Sequence, residues 1–134
     1  MADEQLNIFI SYSRADSAFV DRLEADLRAR GYTVWVDRRR LEGGQIWEQE
    51  IDAAIARCNL FLLVLSPSAV NSIYVRHEFE ESERLGKRLI PIVWQAQGLV
   101  IPTWLAAADN RQRQDFTNPN AYVIDLKRLL YAIE

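Results

Sequence analysis

The chain has 134 residues, a formal net charge of −3 and a single cysteine, which together exclude several classes of protein. A length of this order fits one domain with one sizeable core. The negative charge argues against non-specific nucleic-acid binding, because phosphate backbones attract basic surfaces. The lone Cys58 rules out an internal disulfide and suits a reducing compartment, and with a single histidine it argues against a His/Cys zinc site.

The N-terminal sequence does not favour export or a membrane location. Residues 1–5 lack the charge and the apolar stretch of a signal peptide, and no apolar run approaches the length of a transmembrane helix. We therefore expect a cytoplasmic protein without membrane contact. Residues 1–134 are expected to form one domain, either a small stand-alone one or the first domain of a longer protein.

The first part of the chain predicts a strand, a helix and a second strand. Residues 7–12 read as the first strand, and a polar turn follows in which Asp16 or Ser17 can cap a helix. Gly31 ends that helix as a C′ residue, and Thr33–Val36 reads as the second strand. This order and length predict a right-handed βαβ unit.

The next segment, residues 37–44, is a long polar interruption. Its two glycines leave backbone N–H groups open before a helix, and its three consecutive arginines add positive charge, which favours anion binding. The alternative is a solvated loop whose glycines only allow the turn. A helix is predicted over residues 45–57, with Trp47 either facing a cleft or packed in the core.

The middle of the chain predicts the central strand of the fold. Leu60–Leu65 is an unbroken apolar run, typical of a strand buried on both faces of a parallel sheet. Pro67 stops this strand, and a helix is predicted to begin near Asn71 or Ser72. The start of that helix then lies at the carboxyl edge of the sheet, where open α/β sheets bind ligands.

One carboxylate of this helix falls on its apolar side. At about 100° per residue, Glu78 lies in the same arc as Tyr74, Val75 and Phe79. A carboxylate in apolar surroundings is costly unless it has a partner or a function. The alternative is a glutamate at the rim of the core that reaches water. The opposite, charged face predicts three ion pairs: Arg76–Glu80, Glu80–Arg84 and Glu83–Lys87.

The last part of the chain completes the predicted fold. Residues 88–94 read as a fourth strand, in which Pro91 favours an edge or irregular position, and residues 113–116 as a weak fifth strand. The buried stripe of the final helix is predicted to be Tyr122, Leu126, Leu129, Leu130 and Ile133. The alternation predicts a flavodoxin-like, three-layer α/β fold: a five-stranded parallel sheet of order 2-1-3-4-5 with helices on both faces.

Several segments, in order, resemble those of TIR (Toll/interleukin-1 receptor) domains of bacterial type. Residues 9–12 resemble the first box of that family, and residues 31–37 its second strand with the acidic residue that follows. Residues 38–44 resemble the segment that is called the BB loop. Residues 72–78 resemble a Ser-x-aromatic-x-x-x-Glu motif whose glutamate is catalytic in NAD-cleaving members.

The resemblance implies an NAD+ hydrolase or cyclase that cleaves the nicotinamide–ribose bond, with Glu78 as the catalytic residue. Tyr74 stands where many enzymatic members have tryptophan, and it keeps an aromatic face for stacking. The substrate-binding residues implied are Ser11, Tyr12, Ser13, Arg14, Asp37, Arg38, Gly43, Gly44, Trp47, Ser72 and Tyr74. NAD+ is then the substrate, and neither a cofactor nor a metal is expected.

The resemblance also implies head-to-tail assembly with other TIR domains, activity that depends on this assembly, and a role in bacterial defence signalling. The alternative is a TIR adaptor that binds other TIR domains and performs no chemistry. The combination of Glu78, Ser72 and an aromatic residue between them favours the enzyme.

Three other classes of protein have a similar fold, but their motifs are missing here. A phosphoacceptor receiver needs acidic residues after the first strand and an aspartate ending the third, where this chain has serines. A dinucleotide-binding Rossmann domain needs a glycine-rich first turn, and residues 13–17 contain no glycine. A nucleophilic hydrolase needs a histidine base, but His77 is predicted to lie on the solvated face of its helix.

Overall fold

The fold is one parallel sheet with helices on both faces. The computed structural model describes residues 6–37, 48–109 and 111–134. The five strands lie in the order β2-β1-β3-β4-β5, and every pairing is parallel. Their bounds are β1 Asn7–Ser11, β2 Thr33–Val36, β3 Leu60–Leu65, β4 Arg88–Val93 and β5 Gln114–Asp115. The predicted fold class and strand order are confirmed, and the predicted strand ends differ by a residue or two.

Six α-helices connect the described strands. They are α1 Ser17–Ala29, α2 Glu48–Arg57, α3 Pro67–Val70, α4 Ile73–Arg84, α5 Ala106–Asp109 and α6 Tyr122–Ile133. The short helix α3 replaces a predicted loop, because the Ser66 side chain accepts from the Ala69 N–H and Pro67 suits a first helical turn. Within the described residues, each helix is too short or too polar to cross a membrane.

The central strand β3 holds the two faces of the sheet together. All of its residues are at most 2% exposed. Because strand side chains alternate, Leu62 and Val64 pack in one core cluster with α1 and α6, whereas Phe61 and Leu63 pack in a second with α2 and α4. The predicted buried stripe of α6 is confirmed in full: Tyr122, Leu126, Leu129, Leu130 and Ile133.

Aromatic rings fix the register of β1 against its neighbours. Phe9 pairs with Trp35 of β2 and with Phe61 of β3, and its ring stacks on both, with centroids 5.3 and 5.4 Å apart. In the same register Ser11 pairs with Leu63. The carboxyl ends of β1 and β3 therefore lie side by side.

Gly31 and Gly86 end α1 and α4 in the same way. Both have a positive φ, 94° and 67°, a conformation that side chains with a Cβ rarely adopt. After α4, the N–H of Gly86 donates to the Glu83 carbonyl and the N–H of Lys87 to the Ser82 carbonyl, each at 3.0 Å. This is the Schellman arrangement, and the predicted C′ role of Gly31 is confirmed by its equivalent bonds.

This turn carries two basic residues to the ends of two other helices. The Lys87 ammonium donates to the carbonyls of Ala56 and Cys58, at 2.6 and 3.0 Å, where α2 ends. The Arg88 guanidinium donates to the carbonyls of Ala132 and Ile133, at 2.7 and 2.9 Å, where α6 ends. Cations at helix C-termini satisfy orphan carbonyls and complement the helix dipole.

Two of the three predicted ion pairs on α4 are wrong. Arg76 does bond Glu80, at 3.0 Å. Arg84 instead bonds Glu81 through two nitrogens, and Glu83 accepts both of its bonds from Arg111. Spacing along one helix identified the surface neighbours but not the competing partner from outside the helix.

Pro91 lies inside β4, as its missing N–H permits at an edge. The pairing with β5 begins only at Ile92, so the part of β4 that holds Pro91 is flanked by β3 alone among paired strands. The predicted edge-like position of this proline is confirmed.

We predict that Gly86→Ala lowers the free energy of unfolding by about 1–2 kcal/mol, the cost of a left-handed residue with a Cβ. A Cβ at this position would meet no atom within 4 Å, so conformation and not crowding sets the loss. Urea unfolding measures it. Gly86→Asn is the matched control and should lose less, because asparagine tolerates the left-handed region. Equal losses for the two variants would contradict this explanation.

Candidate functional site

The candidate site lies at the carboxyl ends of β1 and β3. The chain leaves β1 for α1 on one face of the sheet and leaves β3 for α3 and α4 on the other face. The strand order reverses between these two strands, from β1 toward β2 and from β3 toward β4. Open α/β sheets form a crevice at such a switch point.

The first feature of this crevice is a buried hydrogen bond between Ser11 and Glu78. Ser11 ends β1 on the same face as Phe9, and its hydroxyl donates to Oε1 of Glu78 at 2.8 Å. Ser11 is 0% exposed and Glu78 is 1% exposed. The predicted location of Glu78 in the apolar arc of its helix is confirmed, and the alternative of a rim glutamate that reaches water is wrong.

The second feature is a buried hydrogen bond between Ser66 and Asp16. The Ser66 hydroxyl follows directly after β3 and donates to Oδ2 of Asp16 at 2.5 Å. Asp16 is 5% exposed and Ser66 is 0% exposed. Burial raises the pKa of the Asp16 carboxyl above its usual value, and the bond from Ser66 partly offsets this shift.

The two bonds cross between the halves of the fold. Ser11, at the end of β1, bonds Glu78 on α4, and α4 follows β3 in the chain. Ser66, directly after β3, bonds Asp16, which lies between β1 and α1. By the two-residue period of a strand, the serines face opposite sides of the sheet. Each strand end is therefore bonded to the segment that follows the other strand.

The other predicted residues that follow β1 and β2 lie at the same edge. Tyr12 and Ser13 are 5% and 7% exposed, and the Ser13 hydroxyl caps the 3-10 turn Arg14–Asp16 by accepting from the Ala15 N–H at 3.3 Å. Arg14 is exposed at this turn, and Asp37, directly after β2, is 5% exposed. This edge therefore combines buried hydroxyls and carboxylates with one accessible guanidinium among these residues.

The start of α4 supplies the remaining described residues. Ser72 caps α4, as predicted, by accepting from the Val75 N–H at 3.2 Å. Tyr74 is half-buried in the first turn of α4, one helical turn before Glu78. Four predicted substrate-binding residues lie outside the described part of the chain: Arg38, Gly43, Gly44 and Trp47.

Sequence reasoning missed the role of Asp16 and Ser66. Asp16 does occupy the N-cap position of α1, as one of the two predicted candidates, but its side chain makes no cap hydrogen bond. Ser66 has no prediction of its own in the sequence, where it is only the residue before Pro67, at which the strand is predicted to stop. The available signal is that both polar residues directly follow strands or the turns after strands, where parallel sheets gather their functional groups.

The other candidates for metal binding or nucleophilic attack are a histidine on α4 and a cysteine at the end of α2. No three His, Cys, Asp or Glu side chains gather as a metal site in the described ranges 6–37, 48–109 and 111–134. His77 lies on the exposed side of α4, with Nε2 3.3 Å from Oδ1 of Asp52 on α2. Cys58 is buried at the end of α2. The carboxylates of Asp16 and Glu78 are the hydrogen-bonded, buried acids of this edge.

Comparisons with known proteins identify the family of the chain. A sequence profile of the TIR domain matches residues 8–130. NAD(+) hydrolase TcpC of Escherichia coli O6:H1 is 24% identical over 132 residues, which cover 96% of this chain and 40% of that protein. The 2' cyclic ADP-D-ribose synthase BtTIR of Bacteroides thetaiotaomicron is 28% identical over 95 residues, which cover 68% of this chain and 33% of that protein. This chain therefore spans well under half of these relatives.

A solved structure shows the same fold. The TIR domain of the Toll-related receptor TRR-2 from Hydra magnipapillata superposes with a TM-score of 0.74 at 20% identity, covering 94% of this chain and 96% of that one. The likeness extends over the whole sheet and its helices, and at this identity it concerns the fold alone.

We predict that Asp16 makes part of the stability depend on pH. A carboxyl whose pKa is raised in the folded chain contributes stability at low pH, and this contribution is lost as the pH rises through the folded pKa. Asp16→Asn cannot ionise. The free energy of unfolding of Asp16→Asn, minus that of the wild type, should therefore increase as the pH rises from about 4 to about 7. Urea unfolding at several pH values measures the difference.

Asp115→Asn is the control of opposite sign. Hydrogen bonds from the Thr117 side chain and backbone N–H lower the pKa of Asp115, so its contribution is present above the unfolded pKa and is lost as the pH falls. The gap between the wild type and Asp115→Asn should close below about pH 4. A difference between Asp16→Asn and the wild type that stays constant with pH would contradict the raised pKa of Asp16.

Proposed function

This chain belongs to the TIR domain family, and from that premise we propose that it cleaves NAD+ at the nicotinamide–ribose bond. The observation that carries the proposal is the carboxylate of Glu78, 1% exposed, at the crevice between β1 and β3 and bonded to the Ser11 hydroxyl at 2.8 Å. Two relatives, 24% and 28% identical, bear names of enzymes that act on NAD+ or make a cyclic ADP-ribose, which supports the proposal.

The reaction requires a negative charge near the ribose rather than a proton donor for the leaving group. The bond between ribose C1′ and the pyridinium nitrogen breaks, and its electron pair returns to the ring, so nicotinamide leaves neutral without a proton. The ribose passes through an oxocarbenium-like state, whose positive charge a nearby carboxylate stabilises. Water, or a hydroxyl oxygen of the same substrate, then bonds to C1′ and releases its proton to solvent, which gives a hydrolysed or a cyclised product.

Glu78 suits this role because it is oriented and desolvated. The Ser11 hydroxyl bonds Oε1, which restricts rotation of the carboxylate. In a site that excludes water, the attraction between a carboxylate and a developing cation is stronger than at an exposed position. Because Glu78 is 1% exposed here, NAD+ reaches it only when the groups that cover the carboxylate move aside.

The residues around Glu78 fit the other parts of NAD+. Tyr74, one helical turn before Glu78 and half-buried, presents an aromatic face for stacking. Arg14 is exposed at the same edge and can pair with the pyrophosphate, which guanidinium groups bind in a bidentate manner. Ser13, which is buried, and Ser72, which is half-buried, are further residues that we assign to substrate binding. In this proposal NAD+ is the substrate and the reaction uses no further cofactor.

Assembly is the second part of the proposal. We infer head-to-tail contacts between TIR domains in which residues 38–44 meet the neighbouring domain, and a cytoplasmic role in bacterial defence signalling. Such a heterologous contact does not need to close and can build filaments. Arg38, Gly43, Gly44 and Trp47, which lie in or beside this segment, complete the proposed substrate-binding set.

The chemistry is tested by two glutamates of one helix. Glu78→Gln should lower NAD+ cleavage by at least about a hundredfold, the scale of a positioned charge-stabilising group. Glu80→Gln is the matched control: it removes a bond to Arg76 whose partners are both 54% exposed, so turnover should stay nearly intact. Nicotinamide release by the purified chain, at high NAD+ and protein concentrations, measures both.

Thermal unfolding of the same variants separates chemistry from folding. Glutamine is nearly isosteric with glutamate, so Glu78→Gln should keep the fold. Equal turnover in the two variants would show that Glu78 has no special role. A loss of turnover that only follows the melting temperature would make Glu78 structural. Either result would favour a TIR adaptor without chemistry.

The assembly is tested by concentration. If neighbouring domains complete the site, the specific activity should rise with protein concentration, because the assembled fraction rises. Turnover across a dilution series, together with light scattering in the presence of NAD+, measures this. A flat specific activity without any oligomer would rule out a site built from two copies.

A further inference from the structure

Asp16 makes a tertiary bond where a local one was available. It occupies the N-cap position of a 13-residue helix, where aspartate side chains ordinarily accept from the first helical amides. Its side chain makes no such bond and instead accepts the Ser66 hydroxyl at 2.5 Å. Burial disfavours this carboxylate. Because the Asp16 side chain does not cap α1 and lies at the edge of the candidate site, helix capping does not explain its position.

The bond continues from Ser66 into the start of α4. The same Ser66 hydroxyl accepts from the Ala69 N–H at 3.1 Å, which caps the short helix α3. The Ala69 carbonyl in turn accepts from the Ser72 N–H at 3.1 Å. Ser72 then caps α4 through the Val75 N–H at 3.2 Å. A continuous series of hydrogen bonds thus links Asp16 to the first turn of α4.

The series closes on the carboxylate that the proposed reaction uses. Glu78 lies one turn beyond Val75 on α4 and bonds Ser11, which ends the strand just before the turn that holds Asp16. The first half of α4 is thereby held at two points. Its first turn is linked to Ser66, after β3, and Glu78 is bonded to Ser11, at the end of β1. Cutting the bond at Asp16 releases the first of these two anchors.

We propose that Asp16, acting through Ser66, is a positioning residue that holds α3 and the first turn of α4 so that Glu78 and Tyr74 face the substrate. This inference rests on the proposed NAD+ cleavage for its catalytic meaning. The role assigned to Asp16 needs a side-chain oxygen that accepts the Ser66 hydroxyl at this buried place.

The experiment uses the 134-residue chain with three variants. Asp16→Ala removes the acceptor. Asp16→Asn keeps a carbonyl oxygen that can accept from Ser66. Tyr122→Phe is the matched control, because it removes a hydrogen bond of 2.7 Å to Asp26 that also anchors α1, but joins it to α6 and not to Ser66. Melting temperatures of all variants are measured first, so that assays run where each chain is folded.

Amide hydrogen exchange provides the structural readout. In Asp16→Ala, the amides of Ala69 and Val75 should exchange faster relative to those of α6, because their acceptors are no longer fixed. Asp16→Asn and Tyr122→Phe should leave this ratio close to that of the wild type. Unchanged relative exchange at both amides in Asp16→Ala would overturn the inference, whatever the chain does to NAD+.

Kinetics provide the functional readout. Asp16→Ala should lower kcat by about tenfold to a hundredfold, the effect of a small misplacement of the reacting groups, with a smaller change in KM. Asp16→Asn should restore most of kcat, and Tyr122→Phe should keep it. An equal kcat in Asp16→Ala and Tyr122→Phe at matched folded fractions would show that the bond serves stability alone, and would overturn the inference.

A double variant tests the path through Ser66. Ser66→Ala removes the donor to Asp16 and also the cap of α3, so it should affect kcat at least as strongly as Asp16→Ala. If Asp16 acts only through Ser66, the double variant should be no worse than Ser66→Ala. Losses that multiply would overturn the path. Ser66→Ala by itself tests the path if Asp16→Ala does not fold.

Failure of the proposed function is distinguishable from failure of this inference. A wild-type chain that releases no nicotinamide at any concentration would reject NAD+ cleavage. The relative exchange of Ala69 and Val75 would then still decide whether Asp16 positions the start of α4.

Discussion

The crossed hydrogen bonds between serines and buried carboxylates are the constraint on which the site depends. A carboxylate removed from water is costly unless a donor meets it, and here each donor is the serine at the end of a neighbouring strand. Ser11 and Ser66 meet Glu78 and Asp16 only because β1 and β3 are adjacent and parallel. The register of these two strands, held by stacked rings around Phe9, is therefore also what sets the geometry of the site.

Stability and the proposed chemistry lie at opposite edges of the sheet. At the amino end of β4, Lys87 and Arg88 satisfy the last carbonyls of α2 and α6, and the apolar side chains of β3 fill both core clusters. The carboxyl edge carries the buried acids Asp16 and Glu78, whose desolvation is unfavourable for folding. A fold with this division can hold a desolvated carboxylate, because its cost is offset by packing elsewhere.

The same burial that makes Glu78 a strong partner for a cation also keeps it away from substrate. At 1% exposure the carboxylate is covered, so the proposed reaction requires the groups that cover it to move aside. The hydrogen bond between Asp16 and Ser66 links the two halves of the fold where α3 begins. A shared fold can carry different functions, so the function of this chain depends on these particular side chains.

The sequence by itself determined the fold class, the strand order and the buried face of α4. The apolar run of β3 predicts a central strand, and the helical period places Glu78 among apolar neighbours, because both depend only on spacing along the chain. Only the tertiary structure decided which groups meet. Ser66 bonds Asp16, 50 residues away, and Ser11 bonds Glu78, 67 residues away. These partners meet because of which strands are adjacent and which face of the sheet each helix covers. The local periodicity of the sequence specifies neither of these two features.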